Sequence, residues 1–221
     1  MDPLITPAIL QTMQIIGMPV DLCLVGMPKA GKTSFLHALQ NEFNKETAPT
    51  FKITKIKIKK RNIDGKNYRI TVYDTSGKKE DHSENIESLL NTVESLGNML
   101  NPFKDFILLF FCNVKDLLDD EEYKKQVNAR LKHINTVIAN HIIKKQKVIM
   151  VLTTHGLEKA NNLSKLEKED LTKLSQKINC LFIDKEYGDF TKFFVNLNDK
   201  KSVEQILEYI PQLYPFYHKY A

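Results

Sequence analysis

The chain has 221 residues, 42% of them apolar and 27% charged, with a formal net charge of +5. This is the composition of a folded globular chain with room for a real core, which excludes a protein disordered throughout and is satisfied by one α/β domain. No run reaches the ~18 apolar residues of a membrane span, Met1-Asp2-Pro3-Leu4 lacks the cationic start of a signal peptide, and position 2 and the C-terminus lack the glycine or cysteine that lipid anchors use.

Cys23, Cys112 and Cys180 are widely spaced within apolar runs, and the six histidines show no ligand pattern. Buried free thiols in a reducing, cytoplasmic compartment are the expectation. Three segments follow: an apolar stretch over 1–19, a domain over 20–210 and an aromatic tail over 211–221. The first carries Leu4, Ile5, Ile9, Leu10, Met13 and Ile16 with almost no charge, fitting a helix that packs on the domain or meets a membrane or partner. The tail, with Tyr214, Phe216, Tyr217 and Tyr220, reads as a strap over the core.

Val20 to Val25 is a short apolar run ending at Gly26, the pattern of a buried strand. Phe35, Leu36, Leu39 and Phe43 then recur at helical spacing, so a helix begins at Lys32. Residues 44–50 are polar and read as a loop. Strand alternation over Phe51 to Lys60 and Tyr68 to Tyr73 flanks Asp64-Gly65, which predicts a hairpin. The basic run from Lys55 to Arg61 predicts a lysine face toward water that blocks edge-to-edge pairing, the alternative being an anion-binding patch. Ile86 to Leu100 predicts a helix, Phe106 to Cys112 a strand buried on both faces, and Tyr123 to Ile138 a long amphipathic helix. Val148 to Leu152 is another buried strand. Ser164 with Glu167 predicts a capped helix to about Ile178, Leu181 to Ile183 and Phe193 to Val195 predict strands, and Ser202 with Gln205 opens a last helix.

Gly26-Met27-Pro28-Lys29-Ala30-Gly31-Lys32-Thr33 fits the G-x-x-x-x-G-K-[ST] pattern, with a strand before it and a helix, continuing at Ser34, after it. Glycines let backbone N–H groups of the loop, Lys29 and Ala30 included, point at a phosphate. Lys32 reaches the β/γ oxygens, and the Thr33 hydroxyl is a hard ligand for magnesium. Asp74-Thr75-Ser76-Gly77 follows the strand Ile70 to Tyr73. There Asp74 would hold a magnesium-bound water and the Gly77 N–H would sense the γ-phosphate; alone, D-x-x-G is only a loop turn. Between them, Thr50, or failing it Thr47, would ligate magnesium while a γ-phosphate is present.

With these three elements in order, the chain resembles the Ras-like superfamily of GTP-binding proteins over about residues 20–210. The resemblance implies an α/β fold with a mostly parallel six-stranded sheet, one strand of it antiparallel, and helices on both faces. It implies GTP/GDP and Mg2+ as ligands and nucleotide-sensing loops at 44–52 and 75–85, which would bind an effector protein or a second copy. No nucleic-acid partner is implied, and any membrane contact would be peripheral.

The guanine motif [NT]-K-x-D is absent after Val148–Leu152; Thr153-Thr154-His155-Gly156-Leu157-Glu158 stands there. This segment resembles that of the septin-like branch, with immune-associated nucleotide-binding and chloroplast import GTPases. That resemblance sets Thr154 and His155 along the guanine and Asn196, after Phe194-Val195, at its edge. Neither Gly156 nor Leu157 can replace the missing aspartate, and Glu158 serves only if the loop is shifted. Lys78 stands where Ras-like proteins place the water-orienting glutamine, and nothing selects Glu80, Asp81 or His82 in its stead. Slow hydrolysis is the expectation, with no catalytic residue assigned. A binding-only pseudo-GTPase and a P-loop ATPase or kinase stay open, the latter against a chain with only Arg61, Arg69 and Arg130 for an arginine-rich lid.

Overall fold

The computed structural model describes residues 17–42, 54–58, 60–75, 105–140, 148–155, 157, 173, 176 and 190–213. Their elements are β1 (Met18–Gly26), α1 (Lys32–Leu39), β2 (Thr54–Lys57), β3 (Arg61–Ile63), β4 (Lys66–Asp74) and β5 (Asp105–Asn113). Then come α2 (Val114–Asp119), α3 (Glu121–Asn140), β6 (Val148–Thr153), β7 (Thr191–Val195), α4 (Lys200–Tyr209) and a 3-10 turn at Ile210–Leu213.

One sheet runs in the order β2-β4-β1-β5-β6-β7, with β3 also paired to β4. The β4–β1–β5–β6–β7 pairs are parallel; β2 and β3 are antiparallel to β4. The expected single antiparallel strand is thus present but interrupted between Lys57 and Arg61, which raises six strands to seven. Asp64 and Gly65, with φ of 49° and 74°, close the hairpin in the left-handed region that a two-residue turn demands.

The apolar runs of β1, β5 and β6 become the centre of the sheet: Leu22 to Val25, Ile107 to Cys112 and Val148 to Leu152 are buried. A strand covered on both faces needs apolar residues at every position, which is why these segments lack alternation. The β2 edge does alternate, with Lys55 and Lys57 exposed and Ile56 packed against the core. Lys55 Nζ lies 5.5 Å from the centre of the Tyr73 ring.

The crossover from β1 through α1 to β4 runs one way along the sheet, and that from β5 through α3 to β6 the other. Right-handed crossovers therefore put α1 and α3 on opposite faces. The last helix, α4, packs with α1. Arg61 ties the hairpin to this layer, donating to the Leu39 carbonyl at the end of α1 at 2.8 Å.

Several expectations shift in detail. The first strand begins at Met18, ahead of the boundary at residue 20, and Pro211 and Leu213 are buried at the start of the tail. The last helix opens at Lys200, capped by Asp199, whose carboxylate accepts from the Lys201 N–H at 3.1 Å. Ser202 and Gln205 are therefore inside the helix. They bond back to the preceding strand end instead, Ser202 Oγ accepting from Asn196 N–H at 2.8 Å and Gln205 donating to the Phe194 carbonyl at 2.7 Å. An aspartate nearer the strand wins the cap because its carboxylate reaches the first free N–H groups. Cys23 and Cys112 are buried and in no disulfide, and burial pushes the Cys112 thiol up to about 12. The predicted helix over 86–100, the strand 181–183 and Cys180 lie outside the described residues, as do 1–16 and 214–221; of the predicted helix over 164–178 only Lys173 and Gln176 are described, both helical. No helix among the described residues is long and apolar enough to cross a membrane.

Candidate functional site

The carboxyl ends of β1, β4, β5, β6 and β7 converge at one edge of the sheet, where ligands bind in open α/β folds. The loop from β1 to α1 forms one half of this edge. Gly26 has φ of 123°, and a Cβ there would lie 2.2 Å from the Phe111 carbonyl oxygen, so only glycine lets β1 pass β5 this closely. Met27 N–H donates to that same carbonyl at 2.9 Å. Lys29 turns the loop in the left-handed region, with φ of 57°. Gly31 is the N-cap of α1 at φ of 92°, and a Cβ on it would meet Leu197 Cδ1 at 2.3 Å.

The start of α1 differs from those of α2 and α4. Asn113 caps α2 by accepting from Asp116 N–H at 3.0 Å, and Asp199 caps α4. No side chain caps α1, and its first turn has no acidic residue. Its N–H groups and dipole thus face the loop that Gly26, Lys29 and Gly31 shape. Ala30 is buried, while Thr33 and Ser34 are half-buried.

Lys32 is buried at 7% exposure, its Nζ donating to the Met27 carbonyl at 2.8 Å and the Gly26 carbonyl at 3.4 Å. Burial lowers its pKa to about 8; Asp74 opposes the shift and Arg130 adds to it. Thr33 Oγ1 donates to Asp74 Oδ2 at 2.9 Å, joining the loop to the end of β4 across 41 residues of sequence. Asp74 pairs in register with Leu24, and Thr75 Oγ1 locks this alignment by donating to the Leu24 carbonyl at 2.7 Å.

The other half of the edge comes from β5, β6 and β7. Thr154 is buried, its N–H donating to the Val195 carbonyl at 3.1 Å and its hydroxyl to the same oxygen at 3.4 Å. Its side chain thus staples β6 to β7. His155 is exposed, and Asn113 Nδ2 donates to its carbonyl at 3.0 Å and lies 2.9 Å from its Nε2. Partial burial of the ring lowers the His155 pKa, with Asp116 opposing. Asn196 lies half-buried at the end of β7, its Oδ1 accepting from Asn198 N–H at 3.0 Å. Leu197, next to it, packs on Gly31, so the two halves touch.

Sequence patterns alone did not mark Asn113, Arg130 or Leu197. Asn113 stands at the end of a buried strand just before a helix, a capping position that could have drawn notice. Arg130, whose Nη1 donates to the Gly26 carbonyl at 2.8 Å, reads in sequence as one more polar residue on a long helix. Thr47, Thr50, Gly77, Lys78, Glu80, Asp81, His82, Gly156 and Glu158 lie outside the described residues.

Residues 21–154, which span β1 to the end of β6, match the profile of a family described as 50S ribosome-binding GTPases. The chain belongs to this family. Membership of a GTPase family is what the match shows. Its relatives include the GTPase Der of Rickettsia peacockii and of Rickettsia conorii, each 25% identical over 210 residues, covering 93% of this chain and 41% of theirs. The GTPase Der of Rickettsia typhi is 27% identical over 205 residues, covering 90% of this chain and 40% of its own. The chain therefore spans about two-fifths of the length of these curated relatives.

Proposed function

We propose that the chain is a magnesium-dependent GTP switch whose phosphate half is Gly26 to Ser34 with Asp74, and whose base half is Thr154, His155 and Asn196. The contact that carries this reading is the 2.9 Å hydrogen bond between Thr33 Oγ1 and Asp74 Oδ2. It sets a hydroxyl and a carboxylate side by side, two hard oxygen donors of the kind that hold Mg2+ directly and through water. Among the described residues no group of three or more His, Cys, Asp or Glu could hold a metal. A pair with one carboxylate fits magnesium that shares its coordination with phosphate oxygens and, in the triphosphate state, with Thr50. The ion, when bound, neutralises charge on the β and γ oxygens. Lys32 binds those oxygens, the loop N–H groups orient the phosphates, and the Gly77 N–H senses the γ-phosphate.

On the base side, His155 lies along the guanine and Asn196 borders its edge, in a septin-like variant of the guanine pocket. The support is that both flank the β6–β7 staple at Thr154, and that Leu197 joins this loop to Gly31. Hydrolysis is slow, because Lys78 cannot orient an attacking water as a glutamine does. The loops at 44–52 and 75–85 meet an effector protein or a second copy; the family description favours a ribosomal particle as that effector.

Titration of nucleotide-free protein with GTP, GDP and ATP, in Mg2+ and in EDTA, tests the reading. Guanine nucleotides are expected to bind better than ATP, and EDTA to weaken them. ATP binding as well as GTP, or affinities indifferent to EDTA, would overturn the base half or the magnesium pair respectively.

A further inference from the structure

A tight turn joins β7 to α4: Asp199 N–H donates to the Asn196 carbonyl at 3.0 Å, which makes Leu197 and Asn198 its two central residues. Asn196, Asn198 and Asp199 are residues that turn chemistry favours. Leu197 is not, and while Asn198 and Asp199 are exposed, Leu197 is only 9% exposed. The turn is pinned at both ends, since Ser202 Oγ accepts from Asn196 N–H at 2.8 Å and the Asp199 carboxylate caps α4.

What Leu197 covers is the second glycine of the phosphate loop. A Cβ on Gly31 would lie 2.3 Å from Leu197 Cδ1 and 3.5 Å from Thr153 Cγ2, so the leucine methyl rests on the bare Cα of Gly31 with the Thr153 methyl beside it. Thr153 closes β6 and is fully buried, its hydroxyl donating to the Cys112 carbonyl on β5 at 3.3 Å. Gly31 is the N-cap of α1, and α1 packs with α4. The contact therefore sits between two fixed supports, and close-packed apolar groups hold a distance as firmly as a bond of defined direction. A shorter side chain at 197 would leave space into which the start of α1 can shift.

We propose that Leu197 is a positioning residue that fixes the spacing between the phosphate cradle and the base loop, so that a nucleoside di- or triphosphate gains affinity by spanning both. A ligand that touches two sites gains most when they are held at the spacing it spans, because its second contact then forms at high effective concentration. Loosening the spacing costs the linked ligand and spares its fragments. The inference rests on the two-half site described under the proposed function and deepens it by naming the joint between the halves.

Leu197→Ala and Leu197→Met test this through dissociation constants for GDP, pyrophosphate and guanosine, measured by competition in Mg2+. Leu197→Ala is expected to weaken GDP roughly tenfold while pyrophosphate and guanosine each stay within about twofold, because each half keeps its own groups. Leu197→Met, which refills the volume, is expected to bring GDP back to within about threefold of wild type. Parallel losses of GDP and pyrophosphate would mean that the leucine only supports the fold of the phosphate loop, and would overturn the proposal. If Leu197→Ala does not fold, Leu197→Val decides by the same comparison: GDP at least about threefold weaker with pyrophosphate unchanged supports the proposal, and an equal change in the two overturns it. Wild-type protein that holds GDP no better than pyrophosphate would instead remove the base half of the proposed function, and this inference with it. Tighter GDP binding in wild type, left unchanged by Leu197→Ala, removes only the role of Leu197.

Discussion

The two halves of the candidate site are built differently. On the phosphate side the backbone carries the shape: Gly26 and Gly31 occupy positions where a Cβ would collide with Phe111 and Leu197, and α1 starts without a side-chain cap. On the base side the side chains carry it by gripping neighbouring backbone, Asn113 and Thr154 donating to the His155 and Val195 carbonyls and Asn196 accepting from the Asn198 N–H. A backbone cradle recognises any polyphosphate and tolerates almost no substitution. A side-chain pocket built from three strand ends is free to change its ligand by changing residues.

The sharpest break of that contrast is Gly26→Ala. Its Cβ would meet a strand carbonyl that cannot swing aside, so a loss of about 3–5 kcal/mol in unfolding free energy is expected, read from denaturant titration. A melting midpoint close to wild type would show that the loop has room and that shape is not what the glycine supplies.

Lys32→Ala should separate affinity from stability. GDP is expected to bind at least ~30-fold more weakly, while the free protein stays as stable as wild type or gains, because a buried ammonium is removed. Lys32 also makes a signature in pH. Its folded pKa of about 8 lies below the ordinary lysine value of 10.5, so the folded state binds fewer protons between those values and its stability rises with pH. Wild type should gain on the order of 2 kcal/mol over Lys32→Met between pH 8 and 10. Parallel curves for the two proteins across that window would refute the burial of the charged lysine.

Asp74→Asn keeps the size of the side chain and removes its charge. It should erase the difference between GDP affinity in Mg2+ and in EDTA, a change of roughly tenfold. The smallest effect falls on the base side. Asn113→Ala should reduce the preference for GTP over ATP about threefold, a single neutral hydrogen bond's worth, by loosening the His155 loop. It should leave GDP-to-GMP selectivity unchanged, and a change there would mean the halves are not separable.

This contrast also explains what was legible in the sequence. The phosphate loop is eight contiguous residues between a strand and a helix, so local spacing and chemistry expose it, and Lys32 begins a helix as the periodicity of Phe35, Leu36 and Leu39 predicts. The parallel sheet was legible too, because strands buried on both faces leave unbroken apolar runs. The break between β2 and β3 was not, since Ile58 keeps the alternation going and its N–H still donates to the Ile70 carbonyl at 2.9 Å. The Asn113–His155 contact joins residues 42 apart, and Arg130 meets Gly26 across 104. Such pairings depend on which strands become neighbours, and no local periodicity encodes them. The Asp199 cap was missed for a simpler reason: Ser202 and Gln205 form a better-looking capping pattern, but their side chains are bound to the strand end behind them.

The packing of Leu197 on Gly31 has a consequence for the order of assembly. During synthesis Gly26 to Thr33 leaves the ribosome early, whereas β7 and Leu197 follow only after β6 has been made. Contacts that span so much sequence form late, once the entropy of the intervening loop has been overcome. The phosphate loop of a growing chain therefore has no Leu197 against its second glycine and no β7 beside β6. If the proposed two-half site holds, nucleotide would be captured only once β7 has joined β6.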